Sequence, residues 1–136
     1  KYYEKLAAHK GEYIDLFDKK VNITKQDTAY PYPKNIGILI NENNGSTTEQ
    51  FLLSAMQSKK VKLYGRTTKG MLDISNVNIV TSPCGDIELY YGLSKSFRIP
   101  EFPVDDIGLQ PDVFIDKTID ANEWINFVSD HLNGKF

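Results

Sequence analysis

The chain has 136 residues, of which 40% are hydrophobic and 25% charged; it is long enough to bury one core, and its composition does not indicate disorder. The formal net charge is −2 and the sequence has no basic stripe, which argues against nucleic acid as the main partner. No apolar stretch approaches membrane-spanning length, and the single cysteine, Cys84, excludes an internal disulfide bond.

The first 33 residues are predicted to form a helix and a connector. From Tyr2 to about Lys19, apolar side chains recur at helical spacing, although Gly11 interrupts the pattern. Residues 21–33 form a polar connector that ends in the sequence YPYP, where the two prolines favour extended backbone.

A strand, a turn and a helix follow. Ile36–Ile40 is short, β-branched and closed by turn formers, which predicts a buried strand. Residues 47–58 are predicted to be a helix, with one apolar face formed by Phe51, Leu52, Ala55 and Met56. Ser46 then lies at a strand-to-helix turn, where a hydroxyl at the positive helix end suits a nucleophile. The spacing of Ser46 and Glu49 is also that of a capping box, a structural role compatible with the first.

Four further strands and a terminal helix are predicted. The strands cover residues 61–64, 73–81, 87–91 and 113–115, and the middle two form a hairpin around a proline–glycine turn. Asp120 caps the terminal helix, whose apolar stripe is expected to pack in the core: Trp124, Phe127, Val128, His131 and Leu132. The order strand, crossover helix, strand predicts an α/β fold with a mainly parallel sheet and antiparallel additions.

The sequence gives no sign of a metal or a cofactor. No cluster of histidine, cysteine, aspartate and glutamate has metal-ligand spacing, so we expect neither. Gly45 and Ser46 at a helix start could bind phosphate, but no Gly-Lys-Ser/Thr element accompanies them. His9 and His131 are expected to be structural or surface histidines.

Three segments together resemble the C-terminal processing (tail-specific) serine peptidases, including their tricorn-like and retinoid-binding-protein-like relatives. The first is Ile36–Ile40 followed by residues 45–49 (GSTTE), which looks like that family's strand and Ser-x-x-Glu nucleophile turn. The second, residues 65–70 (GRTTKG), is similar to its Gly-x-x-Thr-x-Gly loop. The third, residues 107–112 (IGLQPD), is close to its Gly-(hydrophobic)-x-Pro-Asp signature, so the resemblance covers about residues 36–116.

The resemblance implies a fold of the Clp-protease and crotonase type, built from strand-turn-helix units with an added hairpin and flanking helices. It also implies acyl transfer, in which the Ser46 hydroxyl attacks a peptide carbonyl. The backbone N–H of Thr47 would contribute to the oxyanion hole, and Gly45 would let backbone and substrate approach closely.

The general base is the part of the family pattern that this sequence does not reproduce. Processing peptidases carry a lysine directly after the Gly-x-x-Thr-x-Gly loop, where this chain has Met71. Lys69, two positions earlier, is the alternative base if strand alternation brings it to the same side. The tricorn-like branch pairs the serine with an upstream histidine supported by an acidic residue; Asp105, with Asp106 beside it, matches the acidic position, but no residue matches the histidine. Residue type alone favours an ordinary solvated side chain for Lys69, and a solvated or turn-capping side chain for Asp105.

Three basic residues, Arg66, Lys95 and Arg98, would form a cationic rim for a substrate carboxylate, or would simply be solvated.

We expect a single domain, residues 1–136, that forms the C-terminal portion of a larger peptidase catalytic domain. An upstream part of the same polypeptide would supply the histidine and the second oxyanion donor, so the isolated chain would be inactive towards its peptide or protein substrate.

Two other functions stay open. The first is a non-catalytic module that binds a peptide or an apolar ligand on the same fold, which Met71 in place of lysine favours. The second is a substrate-free assembly domain whose apolar terminal helix docks to another subunit. The resemblance implies an exported or periplasmic location, which the residues themselves do not show.

Overall fold

The computed structural model describes residues 1–17, 28 and 30–135. These residues fall into two compact units, Lys1–Tyr30 and Pro31–Phe136, and the single domain expected from the sequence stays a prediction. In chain order the elements are α1 (Tyr2–Ala8), β1 (Ile36–Ile40), α2 (Thr47–Ala55), β2 (Val61–Gly65), β3 (Ile74–Thr81), β4 (Glu88–Lys95), β5 (Val113–Phe114), a short 3-10 helix (Ala121–Glu123) and α3 (Trp124–Leu132).

The first unit contains α1, which is shorter than the predicted helix. It ends at Ala8, and the chain leaves helical conformation at His9 and turns at Gly11, whose φ is +84°. None of its residues is buried, so no core contact extends the helix beyond this turn. Residues 18 and 19 of the predicted helix, and residues 21–27 and 29 of the predicted connector, lie outside the described residues.

The second unit is organised by a three-stranded parallel sheet in the order β1-β2-β5. Ile36 pairs with Val61 and Ile40 with Gly65, so β1 and β2 begin and end side by side. The helix α2 makes the crossover between them, which confirms the predicted βαβ pattern and the mainly parallel sheet.

Two apolar clusters form the core. One contains Ile40, Leu52, Leu63, Leu72, Val104 and Leu109, and the other contains Tyr64, Ile115, Trp124 and Val128. Because Leu63 and Tyr64 are successive residues of β2, their side chains point to opposite faces of the sheet. One face therefore packs against α2 and the other against α3, in which the predicted apolar stripe lies in the core.

The helix α2 differs from its prediction in length and in the face that it buries. It ends at Ala55, three residues before the predicted end at residue 58. Phe51 is 58% and Met56 42% exposed, whereas Leu52 and Glu49 are buried. A carboxylate such as that of Glu49 can be buried when it has enough hydrogen-bond donors.

The strands β3 and β4 form the predicted antiparallel hairpin, with Ile79 opposite Tyr90. Eight apolar side chains of this ribbon are between 42% and 62% exposed and are spread over both of its faces: Ile74, Val77, Ile79, Val80, Leu89, Tyr90, Tyr91 and Leu93. Within the described residues the ribbon is thus an uncovered two-stranded sheet.

The terminal helix begins as predicted. The Asp120 side chain accepts a hydrogen bond from the Asn122 amide (2.8 Å) at the start of the 3-10 helix that leads into α3. On α3, His131 Nδ1 lies 3.1 Å from the buried Tyr64 hydroxyl, a structural contact of the kind expected for this histidine. In the described part of the chain, no helix has the length and apolarity required to cross a membrane.

Candidate functional site

Ser46 lies at the carboxyl edge of the parallel sheet, where a loop joins β1 to α2. The loop is closed by two hydrogen bonds between Asn41 and Asn44, at 2.7 and 3.0 Å. Ser46 has φ 55° and ψ −120° and its side chain is exposed. A non-glycine residue in this conformation carries about 1–3 kcal/mol of strain, and such residues concentrate at functional turns, including the strand-to-helix elbow of serine hydrolases.

The contact between Ser46 and Glu49 explains how the turn is held. The two residues have the reciprocal arrangement of a capping box, but the Ser46 hydroxyl makes no cap hydrogen bond of good geometry. The bond in the other direction is well formed, since the Ser46 amide donates to Glu49 Oε2 at 2.9 Å. The capping role thus falls mainly on Glu49, and the serine oxygen is left at the surface.

Glu49 is fully buried and binds two parts of the chain at once. Its Oε1 accepts from the Thr68 hydroxyl (2.6 Å) and the Gly70 amide (2.7 Å), and its Oε2 accepts from the Met71 amide (2.9 Å) as well as from Ser46. The spacing of Ser46 and Glu49 in the sequence indicated one of these bonds; nothing local in the sequence indicated the other three.

Both positions weighed for the general base lie beside this turn. The Lys69 amide donates to the Asn44 carbonyl at 2.7 Å, and a Cβ added at Gly45 would lie 3.3 Å from Lys69 Cβ and 3.8 Å from Met71 Cβ. The side chains of Lys69 and Met71 are both exposed. The loop after β2 thus flanks the residue before Ser46, but the role of Lys69 stays a prediction.

Asp105 binds the segment that follows Met71. Its Oδ1 accepts from the amides of Leu72 (2.5 Å) and Asp73 (2.7 Å), and its Oδ2 accepts from Ile74 (3.2 Å). Its neighbour Asp106 is exposed with φ 64°. The acidic loop is therefore connected to the segment directly after the residues that Glu49 binds, while the role of Asp105 as the acidic partner of a catalytic base stays a prediction.

Asp73 in turn accepts hydrogen bonds from the loop that contains Asp105. Its Oδ2 accepts from the amides of Val104 (2.6 Å) and Asp105 (2.9 Å), and its Oδ1 pairs with Arg98 at 2.9 Å. Burial alone would raise the pKa of Asp73, but these hydrogen bonds and the charge of Arg98 outweigh it and hold that pKa below its usual value.

The expected cationic rim is divided in the structure. Arg98 pairs with Asp73, and its Nη1 lies 3.4 Å from Gln50 Oε1 on α2, one turn after Ser46. Arg66 stacks over the Trp124 ring, 5.1 Å from its centroid, and Lys95 ends β4. The Nε atoms of both arginines are buried without a hydrogen-bond partner among the described residues. Binding of a substrate carboxylate by Arg66 or Arg98 stays a prediction.

The amide of Thr47 lies at the amino end of α2. Thr47 is the first residue of α2, where a backbone N–H has no partner within the helix and the helix dipole is positive. The next amides are occupied: Thr48 donates to the Gly45 carbonyl and Gln50 to that of Ser46, each at 3.1 Å. Thr47 and Gly45 therefore remain the predicted backbone elements of the site.

A cavity of about 130 Å³ lies elsewhere. It is lined by residues near the amino ends of β1 and β2 and by the end of α3, among them Asn35, Lys59, Lys62 and His131. Ser46 is beyond the carboxyl end of β1, so a site at Ser46 is an open surface and not this cavity. Among the described residues, no group of three or more acidic, histidine or cysteine side chains could hold a metal ion.

Comparison with known proteins gives a match in structure. No protein-family model and no curated protein matches the sequence. The structure is similar to the crystal structure of the tricorn protease, with a TM-score of 0.55 and 20% sequence identity over 88% of this chain. The chain spans 13% of the length of that protein's chain. The mixed α/β fold, a three-stranded parallel sheet plus an antiparallel hairpin, therefore resembles one segment of the tricorn protease.

Proposed function

We propose that this chain is part of a serine peptidase catalytic domain of the C-terminal processing kind, on a Clp-protease/crotonase-like fold, with Ser46 as its nucleophile. The observation that carries the proposal is the conformation of Ser46: an exposed serine with φ 55° at the first turn of a helix that follows a parallel strand. Elbow geometry of this kind presents a side-chain oxygen to a substrate beside backbone amides.

The chemistry at this site would be acyl transfer. Ser46 Oγ attacks the carbonyl carbon of a peptide bond while its proton passes to a base. The negative oxygen of the tetrahedral intermediate faces the Thr47 amide at the positive end of α2. Collapse of the intermediate expels the amine and leaves an acyl ester on Ser46, which water then hydrolyses.

The base is the component that this chain does not supply at the matching position. Met71 has no group that can take a proton, and Lys69 lies two residues before the position at which processing peptidases carry their lysine. We assign the base and a second oxyanion donor to a further segment of the polypeptide. In this chain, Asp105 would be the acidic partner of that base, and Arg66 would bind a substrate carboxylate.

The two methionines of the chain provide a matched test. Met71→Lys places a lysine beside Gly45, and Met56→Lys places one at the far end of α2; both native side chains are exposed. Each variant is treated with a fluorophosphonate, and mass spectrometry locates and times the serine adduct. We expect Met71→Lys to label Ser46 about tenfold or more faster than the native chain, because a positioned base activates a serine hydroxyl. Met56→Lys should match the native chain, and Ser46→Ala should remove the adduct.

Equal labelling of the two lysine variants and the native chain would exclude Ser46 as a nucleophile. The alternative function, a module that binds a peptide or an apolar ligand, is favoured by the 51% exposed thioether chain of Met71 next to the turn. In that case Met71→Lys leaves labelling unchanged and weakens the binding of an apolar fluorescent peptide, measured by anisotropy, relative to Met56→Lys.

A further inference from the structure

Glu49 is a buried side chain whose two oxygens are both satisfied by hydrogen bonds. Its side chain is fully inaccessible, and its four donors are the amides of Ser46, Gly70 and Met71 and the hydroxyl of Thr68. Glu49 is also the third residue of α2, where the helix dipole favours a negative charge. Because a neutral side chain would suffice to cap a helix, so many donors around one carboxylate suggest a more demanding role.

The two oxygens of Glu49 connect different elements. Oε2 bridges the Ser46 amide on the β1–α2 loop and the Met71 amide on the loop after β2, at 2.9 Å each. Oε1 binds Thr68 and Gly70 in that second loop. The orientation of the Ser46 backbone, and with it the direction of its side chain, is therefore fixed relative to the segment that carries Lys69 and Met71.

We infer that Glu49 is a positioning residue for Ser46. Its side-chain oxygens hold the Ser46 turn in its strained conformation and set the serine oxygen against the loop beside which a base must stand. The catalytic consequence rests on the function proposed above, whereas the positional consequence is independent of it.

Glu49→Gln is the most direct test, because glutamine keeps the size of the side chain but replaces one oxygen with an NH₂ group. Each oxygen of Glu49 accepts from two donors, so the NH₂ group, itself a donor, would face two other donors whichever way the amide turns. Asp112→Asn is the control, since Asp112 is also a carboxylate bound to a backbone amide, that of Leu63, at 2.7 Å.

The first measurement is amide hydrogen exchange by NMR. We expect Glu49→Gln to speed exchange of the Ser46, Gly70 and Met71 amides by about tenfold or more, because the glutamine amide can turn either way and each orientation leaves two of the donors without an acceptor. Asp112→Asn should leave these three amides unchanged. Unchanged exchange of the Ser46 amide in Glu49→Gln would overturn the inference.

The second measurement separates positioning from general stability. In the Met71→Lys background, Glu49→Gln should slow fluorophosphonate labelling of Ser46 about tenfold, and Asp112→Asn should not, with all variants compared well below their unfolding temperatures. Labelling at the full rate in Glu49→Gln would also overturn the inference. If Met71→Lys itself does not label, the proposed function fails and the exchange data alone decide the role of Glu49.

The native chain provides the measurement if Glu49→Gln does not fold. Its Ser46, Gly70 and Met71 amides should exchange at least about tenfold more slowly than the Thr47 amide, which has no partner within the helix. A Ser46 amide that exchanges as fast as that of Thr47 would contradict the role assigned to Glu49.

Discussion

The side chain of Lys69 lies against Gly45: a Cβ added at Gly45 would stand 3.3 Å from Lys69 Cβ and 3.6 Å from its Cδ. The lysine thus lies next to the residue that precedes the candidate nucleophile, although it is two positions away from the place where processing peptidases carry theirs. Its position raises the question of whether Lys69 itself can serve as the base.

We expect it not to serve in the isolated chain. Lys69 stands two residues before the position of the processing-peptidase lysine, and a general base works only within hydrogen-bond reach of the hydroxyl proton. The native chain should therefore release no product from a fluorogenic peptide library, and Lys69→Ala should behave identically. Peptidase activity in the native chain that disappears in both Lys69→Ala and Ser46→Ala would instead establish a Ser/Lys dyad.

Gly65→Ala should be strongly destabilising. Gly65 ends β2 with φ +125°, and a Cβ there would lie 2.1 Å from the carbonyl oxygen of Ile40, a backbone atom that cannot move aside alone. We expect a loss of about 3 kcal/mol or more in the free energy of unfolding, measured by urea denaturation. Gly134→Ala is the control: its φ is +69° with nothing within 4 Å of an added Cβ, so it should cost about 1–2 kcal/mol. Equal losses would show that the strands do not approach as closely as described.

Asp73 should make the fold sensitive to acid. The pKa of Asp73 is lowered in the folded state. Its contribution to the free energy of unfolding is therefore fully present above the unfolded pKa of about 4, and it is lost as the pH falls through the lower, folded pKa. Asp73→Asn should reduce stability at pH 7 and flatten the decline that the native chain shows as the pH falls below about 4. Asp120→Asn, which retains a capping side chain, should keep the native acid profile in the same urea titrations. A native decline that persists in Asp73→Asn would assign it to other carboxyl groups.

Tyr64→Phe should cost about 1 kcal/mol of stability, because it removes a buried hydroxyl that contacts His131 Nδ1. Burial raises the pKa of Tyr64, and the charge of Asp112 adds to the effect, so this phenol is neutral in the folded protein at ordinary pH. Tyr90→Phe is the comparison: its hydroxyl donates to Glu88 at 2.6 Å on the exposed ribbon and should change stability by less than about 0.5 kcal/mol. Thermal unfolding of the two variants measures the difference, and a larger effect of Tyr90→Phe would contradict the burial described.

The elements predicted from the sequence are those with local signals. Ile36–Ile40 is a β-branched run closed by turn formers, and the hairpin has a proline–glycine turn between two apolar strands, so periodicity and turn chemistry suffice for both. The helix α1 was predicted too long because its apolar spacing continues past Gly11, where the backbone turns.

The interactions that hold the candidate site could not be predicted in the same way. Glu49 reaches Thr68, Gly70 and Met71 across 19 to 22 residues of sequence, and the amides bound by Asp105 are 31 to 33 residues away. Backbone amides are also present at almost every residue. The partners of a carboxylate that binds them therefore cannot be identified in the sequence from their residue types. Hydrophobic patterning placed Phe51 and Met56 on the apolar face of α2, whereas the structure exposes both and buries Glu49.

The β3–β4 ribbon has a consequence for handling the protein. It is a two-stranded sheet whose outer strand edges meet no other strand among the described residues, and Glu88 and Lys95 are the charged residues within its two strands. Ribbons of this kind promote aggregation at high concentration, since an unprotected apolar edge is a template for another chain. A lysine introduced at Val77 or Leu89 should therefore raise the solubility limit and keep samples monodisperse for the NMR experiments, while the loop that carries Ser46 stays untouched.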